Sequence, residues 1–159
     1  MKFIKPEICF KPNSGVITQE FQIQLNNFVP QFLALITNPL YRNSISEVRI
    51  EGHTAASEGI NRGTYEGGFN LAQERAYNVL LFTIKNNSFN ENRSAQELEY
   101  LRFLFNATGF SCGRMLNTEG KIMYNHKGKP NYDISRRVEF RIITNSEGLV
   151  NEISNLKNK

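Results

Sequence analysis

Apolar and polar positions along the chain follow two different periods, and the changes from one to the other mark its elements. From Thr18 onward Phe21, Leu25, Phe28, Phe32 and Leu35 recur at steps of 4, 3, 4 and 3, which is the spacing of one helix face. Pro30 falls inside that pattern and is expected to kink or interrupt the helix, and Asn38-Pro39 ends it. Ser46 to Gly52 then alternates, with Val48 and Ile50 on one side and Glu47, Arg49 and Glu51 on the other. That is a strand with one solvated face. The last strand repeats the device, Val138, Phe140 and Ile142 alternating with Arg137, Glu139 and Arg141.

Between these anchors the pattern is weaker. Ile8 and Phe10 read as a short first strand that breaks at Pro12-Asn13-Ser14-Gly15. His53 to Phe69 contains Gly59, Gly63, Gly67 and Gly68 with almost no periodicity, the signature of a long surface loop. Asn70 with Gln73 resembles a capping box that opens a second helix, whose face is Ala72, Ala76, Val79, Leu80 and Thr83, with Arg75 off that face. Ser94-Ala95-Gln96-Glu97 is a cleaner capping box for a third helix through Leu98, Leu101 and Phe105, which Gly109 would end. Met115 to Tyr124, turning at Asn117 to Gly120, reads as a hairpin. The order strand, helix, strand, helix, helix, hairpin, strand implies an α+β two-layer sandwich, with helices packed on one face of a mixed sheet. One domain over residues 1–145 and a polar tail over 146–159 is the expected organisation.

Composition narrows the classes. The chain has 159 residues, 40% hydrophobic, with 12 Phe and 6 Tyr, enough to build a core. Its formal charge of +4 is mild, and no run of five like charges occurs, so a nucleic-acid arm is not expected. No segment reads as a signal peptide or a membrane span. Cys9 and Cys112 are too few for a disulfide framework, and with His53 and His126 they lack the spacing of a metal site. No nucleophile carries a local catalytic signature, so neither an enzyme nor a cofactor is expected.

Three segments in chain order then stop looking generic: Val48-Arg49-Ile50-Glu51-Gly52-His53-Thr54, Asn70-Leu71-Ala72-Gln73-Glu74-Arg75-Ala76, and Ser135-Arg136-Arg137-Val138-Glu139-Phe140. Together they resemble the OmpA/MotB C-terminal domain, a peptidoglycan-binding family, over about residues 8 to 144. The long loop, Ser135-Arg136-Arg137 and Phe28-Val29-Pro30-Gln31-Phe32-Leu33 lean toward the motor branch, in particular the ZorB-type, MotB-like subunits of the Zorya anti-phage system. The resemblance implies a βαβαβ-type fold with a four-stranded sheet and a noncatalytic wall anchor of a membrane motor. It also implies a periplasmic position, a homodimer, and a MotA/ZorA-like membrane partner reached through a segment upstream of these residues.

The ligand so implied is the peptidoglycan stem peptide, often read through diaminopimelate, whose free end carries an ammonium and a carboxylate. In the family an Asp follows the G-H-T, and the Arg of the R-A pair holds the carboxylate. Arg75 matches that arginine, and Ala55 stands where the Asp would be. Ser57 or Glu58, further along the loop, are candidate substitutes, and His53, Thr54, Leu71 and Arg136 complete the implied site. Ala72 replaces the usual serine, and Gly68 a usual asparagine. A second reading stays open, an OmpA-fold protein-interaction module that has lost wall binding. Ala55 favours it and Arg75 opposes it.

Overall fold

A computed structural model describes residues 1–4, 6–55 and 65–145. Its strands are β1 (Lys2–Ile4), β2 (Ile45–His53), β3 (Phe105–Gly109) and β4 (Arg137–Thr144), and its helices are α1 (Pro6–Cys9), α2 (Gln19–Ile36), α3 (Tyr65–Lys85), α4 (Asn87–Asn90), α5 (Ala95–Leu104) and α6 (Tyr132–Ser135). The strands form a four-stranded sheet in the order β1-β4-β2-β3. β2 pairs parallel with β3 and antiparallel with β4, and β4 pairs antiparallel with β1. The sheet is therefore mixed, with α3 to α5 forming the crossover from β2 to β3.

Alternation decides which side of the sheet faces the helices. Phe3, Val48, Ile50, Phe105, Val138 and Phe140 point to one side, where they meet Phe21, Leu25, Val29, Phe32 and Leu33 of α2 and Ala76 and Val79 of α3. Phe140 is the hub, with Phe28 and Phe32 edge-on to it at 4.9 and 5.4 Å between centroids.

Several expectations hold and others are corrected. α2 begins where Thr18 caps it, its side chain accepting from the Phe21 N–H. Pro30 does not interrupt the helix. It removes the donor that Asn26 O would have met, but both residues are exposed, so water can serve that carbonyl. Leu35 leaves the buried face, at 48% exposed, and Leu33 and Ile36 take its place, because the helix turns slightly more slowly per residue than the 3.5-residue spacing assumed.

The first strand is not at Ile8 and Phe10. Pro6, preset for the first helical position, starts a single helical turn there, and the edge strand is the three residues Lys2–Ile4. α3 begins at Tyr65, so Asn70 lies inside the helix and caps nothing, and Gly67 and Gly68 are helical rather than loop. The Ser94 capping box is present in full. Its helix ends at Leu104, however, because the Phe105 ring fits between Phe32 and Phe89 and the chain from there pairs with β2. Gly109 ends a strand, not a helix. The Met115 to Tyr124 hairpin is reduced to a single bridge, Leu116 with Ile122.

Two side-chain arrangements lock α3 onto the sheet. The Gln73 amide donates to Ala107 O at 3.1 Å and accepts from the Gly109 N–H at 2.7 Å. Gly52 lets the helix come so close that a Cβ there would sit 2.0 Å from Ala72 O.

Candidate functional site

The helix side of the sheet ends in a corner built from four pieces. β2 leaves the sheet at His53, and Thr54 follows, buried, its N–H donating to Ser111 O at 2.9 Å. The first turns of α3 pass over it. A Cβ on Gly68 would lie 2.6 Å from both Thr54 Oγ1 and Ser111 Oγ, which explains why this position carries no asparagine. The turn from Phe10 to Gly15 forms one wall, and Arg136, just before β4, forms another. In register, His53 opposes Arg137, so Thr54 and Arg136 are the next residues beyond that pair and fall on the helix side with Gly52 and Val138.

Arg75 is the central cation of this corner. It is only 7% exposed, against the expectation of a surface position off the apolar face. Its Nε donates to Ser14 O at 3.2 Å and its guanidinium lies 5.0 Å over the Phe10 ring. Burial first, and then the neighbouring Arg136 charge, lower its pKa from the ordinary arginine value. Arg136 in turn donates from Nη2 to Asp133 Oδ1 at 2.5 Å, while its Nε is buried without a hydrogen-bond partner among the described residues. Asp133 stands in solvent, its side chain 86% exposed.

Arg75 and Arg136 lie within electrostatic range of each other, Thr54 sits beneath Gly68, about two turns before Arg75 on α3, and Leu71 is half-buried one turn before Arg75. His53 is on the other side of the sheet. It is 1% exposed, stacked on Phe110 at 5.4 Å between centroids. Among the described residues neither ring nitrogen has a hydrogen-bond partner of good geometry. Ser57 and Glu58 lie outside the described residues. Cys9 is buried and Cys112 half-buried, and no disulfide joins them. Among the described residues no three His, Cys, Asp or Glu side chains gather as a metal site would need.

That far side of the sheet is the part the alternation pattern misjudged. Glu51, Arg137 and Glu139 are buried rather than solvated. Glu51 and Glu139 face each other across β2 and β4, an arrangement that needs compensating cations. Arg141 reaches both carboxylates, at 3.0 and 3.1 Å, Arg137 Nε meets Glu139 at 2.5 Å, and Arg114 approaches Glu51 at 3.4 Å from the 110–136 segment. Burial works to raise each carboxyl pKa and is outweighed. His53, Arg141 and Arg114 lower Glu51, and Arg137, Lys2 and His53 lower Glu139. His53 is itself pushed down by burial, so at neutral pH it is an uncharged neighbour, its Nε2 3.3 Å from Glu51 Oε2. Arg114, whose guanidinium lies 3.6 Å from the Phe110 ring centroid, gave no sign in the sequence, because the segment carrying it folds back from more than 60 residues downstream of β2.

No family model matches the chain. It is 29% identical over 158 residues to the Zorya protein ZorB of Escherichia coli, an alignment covering 96% of this chain and 60% of that protein. The chain thus spans about 60% of that relative's length. Among solved structures, the periplasmic domain of Helicobacter pylori MotB (residues 97–256) superposes with a TM-score of 0.59 at 16% identity, over 99% of this chain and 90% of that one. The cell wall anchor of the type VI secretion system from Pseudomonas aeruginosa superposes with a TM-score of 0.51 at 17% identity, over 91% and 80%. The architecture is the OmpA-like α+β fold of the MotB periplasmic domains, and in sequence the chain resembles ZorB.

Proposed function

We propose that this chain, which resembles ZorB along nearly its whole length and has the MotB periplasmic fold, is the wall-anchoring domain of a MotB/ZorB-like stator subunit. It holds the carboxylate of a peptidoglycan stem peptide at Arg75. The observation that carries this reading is the Arg75 guanidinium itself. It is almost fully buried, supported by Phe10 and Ser14 and flanked by a second arginine. A buried cation beside another cation is costly unless an anion joins them. A position on the helix side of the sheet end, where α3 and the β2 exit meet, gives such an anion a rigid seat. The fold shared with a protein described as a cell wall anchor supports the same role. Under this reading the domain is periplasmic and works with a MotA/ZorA-like membrane partner, as a homodimer, in motor anchoring or anti-phage defence. No described helix is long and apolar enough to cross a membrane, so the membrane segment would lie outside these residues.

The test is retention of the purified domain on isolated peptidoglycan sacculi at low and moderate salt. Arg75 is buried, so an alanine there would confound binding with folding. Arg75→Lys keeps the charge and loses the fork, and circular dichroism establishes that it folds. Retention that survives salt and drops at least about tenfold in the folded Arg75→Lys variant supports the anchor. Retention that salt abolishes equally in both proteins is adsorption of a cationic surface, and gives the protein-interaction reading, which Ala55 favours, the field.

A further inference from the structure

We propose that the groove between α2 and α3 holds a neutral, N-acetylated oligosaccharide, the glycan strand from which a stem peptide held at Arg75 would hang. The inference rests on the wall-anchoring reading and adds to it a second, uncharged contact. The groove has two adjoining parts, of about 320 and 700 Å³, which share Phe82 and Lys85. Gln22, Asn26 and Pro30 line it from α2 at steps of four residues, and Asn78, Phe82 and Lys85 from α3 at steps of four and three. Those are the spacings of single helix faces, so the groove follows both helices for roughly 12 Å. It begins beside the corner already described. Ser14 O takes the Arg75 Nε–H, and the next carbonyl, Gly15 O, takes a hydrogen from Asn78 Nδ2 at 2.8 Å. Asn78 lies one turn after Arg75 on α3. A polymer in the groove therefore passes within a helix turn of the carboxylate seat, as a sugar chain carrying that peptide must.

The lining decides the class of occupant. Carboxamides of Gln22, Asn26, Asn78, Asn86 and Asn87 stand around a half-buried apolar floor of Ile17, Leu81 and Phe82. A carboxamide offers donors and acceptors together, which suits hydroxyl and acetamido groups, and the floor suits the C–H faces of sugar rings. Two of the amides are held in place before any ligand arrives. Asn78 is fixed by Gly15 O, and Asn86 donates to Asn26 Oδ1 at 2.8 Å while accepting from Ser88. Asn26 Nδ2 and Asn78 Oδ1 make no hydrogen bond to the described residues and are left to meet a ligand. The two charges of the lining, Lys85 and Glu91, are of opposite sign, so an anionic polymer gains little there. A peptide strand would need an open sheet edge, and an amphipathic helix an unbroken apolar floor. The part of the groove beyond Phe82, walled by Asn86, Asn87, Ser88 and Glu91, provides neither.

The measurement is a chemical-shift titration of the intact chain with tri-N-acetylchitotriose, a neutral oligosaccharide that carries neither peptide nor carboxylate. Saturable shifts at the side-chain amides of Asn26, Asn78, Asn86 and Asn87, with a Kd below about 10 mM, support the proposal. Asn26→Ala and Asn87→Ala, both at exposed positions, should each weaken binding at least about threefold while circular dichroism shows them folded. Cellotriose, with hydroxyls in place of the acetamido groups, should bind more weakly, and equal affinity for the two sugars overturns the N-acetylated assignment. Shifts that do not saturate, that fall only around Arg75, or that are unchanged in both variants overturn the groove. The sacculus assay fails separately. Chitotriose binding without retention on sacculi removes the anchor, and with it the peptidoglycan strand as occupant, whereas Arg75-dependent retention without chitotriose binding removes the groove alone.

Discussion

Gly52→Ala is the sharpest perturbation the packing allows. The added methyl would lie 2.0 Å from Ala72 O and 2.9 Å from Ala72 C, where an ordinary contact needs about 3.4 Å. Neither neighbour is a flexible side chain that can swing aside. Either α3 moves off β2 by something over 1 Å, or β2 bends in the middle of its pairing with β3 and β4. Overpacking of this kind costs about 1–3 kcal/mol, and with backbone on the receiving side the upper half of that range applies. For a domain of this size each kcal/mol moves Tm by roughly 3 °C, so a drop of about 6–9 °C is expected in a thermal melt followed by circular dichroism. The displacement has a second readout, since α3 carries Arg75 while Thr54 and Arg136 stay with the sheet. Carboxylate binding should weaken at temperatures where the variant is still fully folded. A Tm within 2 °C of the parent would mean that α3 is not seated on Gly52 as described, and would refute the reasoning.

Two further expectations concern stability. His53, Glu51 and Glu139 all have pKa values lowered in the folded chain, from starting points of 6.5 and 4.5. A lowered pKa means that the unfolded chain takes up the proton first, so each contribution is present above the unfolded value and is lost as pH falls through the folded one. Tm should therefore decline in two stages on acidification, the first from His53 below about pH 6.5 and the second from the carboxylates below about pH 4.5. His53→Gln should remove the first stage, and a Tm that rises between pH 7 and pH 5 would contradict the buried neutral imidazole. Ser94→Ala deletes the side-chain half of a capping box, the Ser94 Oγ that accepts from the Glu97 N–H, and leaves the Ser94 N–H bond to the Glu97 carboxylate. It should cost about 1 kcal/mol in urea unfolding at unchanged m-value. No loss there would show that α5 is held by its packing rather than its cap.

The long, strongly periodic elements were legible from sequence: the α2 face from Phe21 to Phe32, the alternation in β2 and β4, and the capping box at Ser94. What was hidden was hidden for physical reasons. β1 is three residues long and carries no period, and β3 begins on Phe105, which is also in phase with the preceding helix, so only the Phe32 and Phe89 rings decide the matter. Gly67 and Gly68 read as loop because glycine is a poor helix former, while the close approach of Thr54 and Ser111 is what demands Gly68. Arg75 stood out by resemblance, but its burial did not, because Phe10 and Ser14 lie more than 60 residues upstream. The charged residues of β2 and β4 alternate as a solvated face would, and only the fold-back of Phe110 and Arg114 turns that face into an interior.

The Gln73 amide has a consequence for how this molecule can associate. β3 is the outermost strand on its side of the sheet, and an open strand there would invite the backbone of another chain to zip onto it. Gln73 fills that role from within, donating to Ala107 O and accepting from the Gly109 N–H as the peptide group of an adjacent strand would. The side chain is a one-residue counterfeit of a fifth strand. At this edge a second copy of the chain thus finds Ala107 O and the Gly109 N–H already taken, and contacts there are left to side chains that choose their partners.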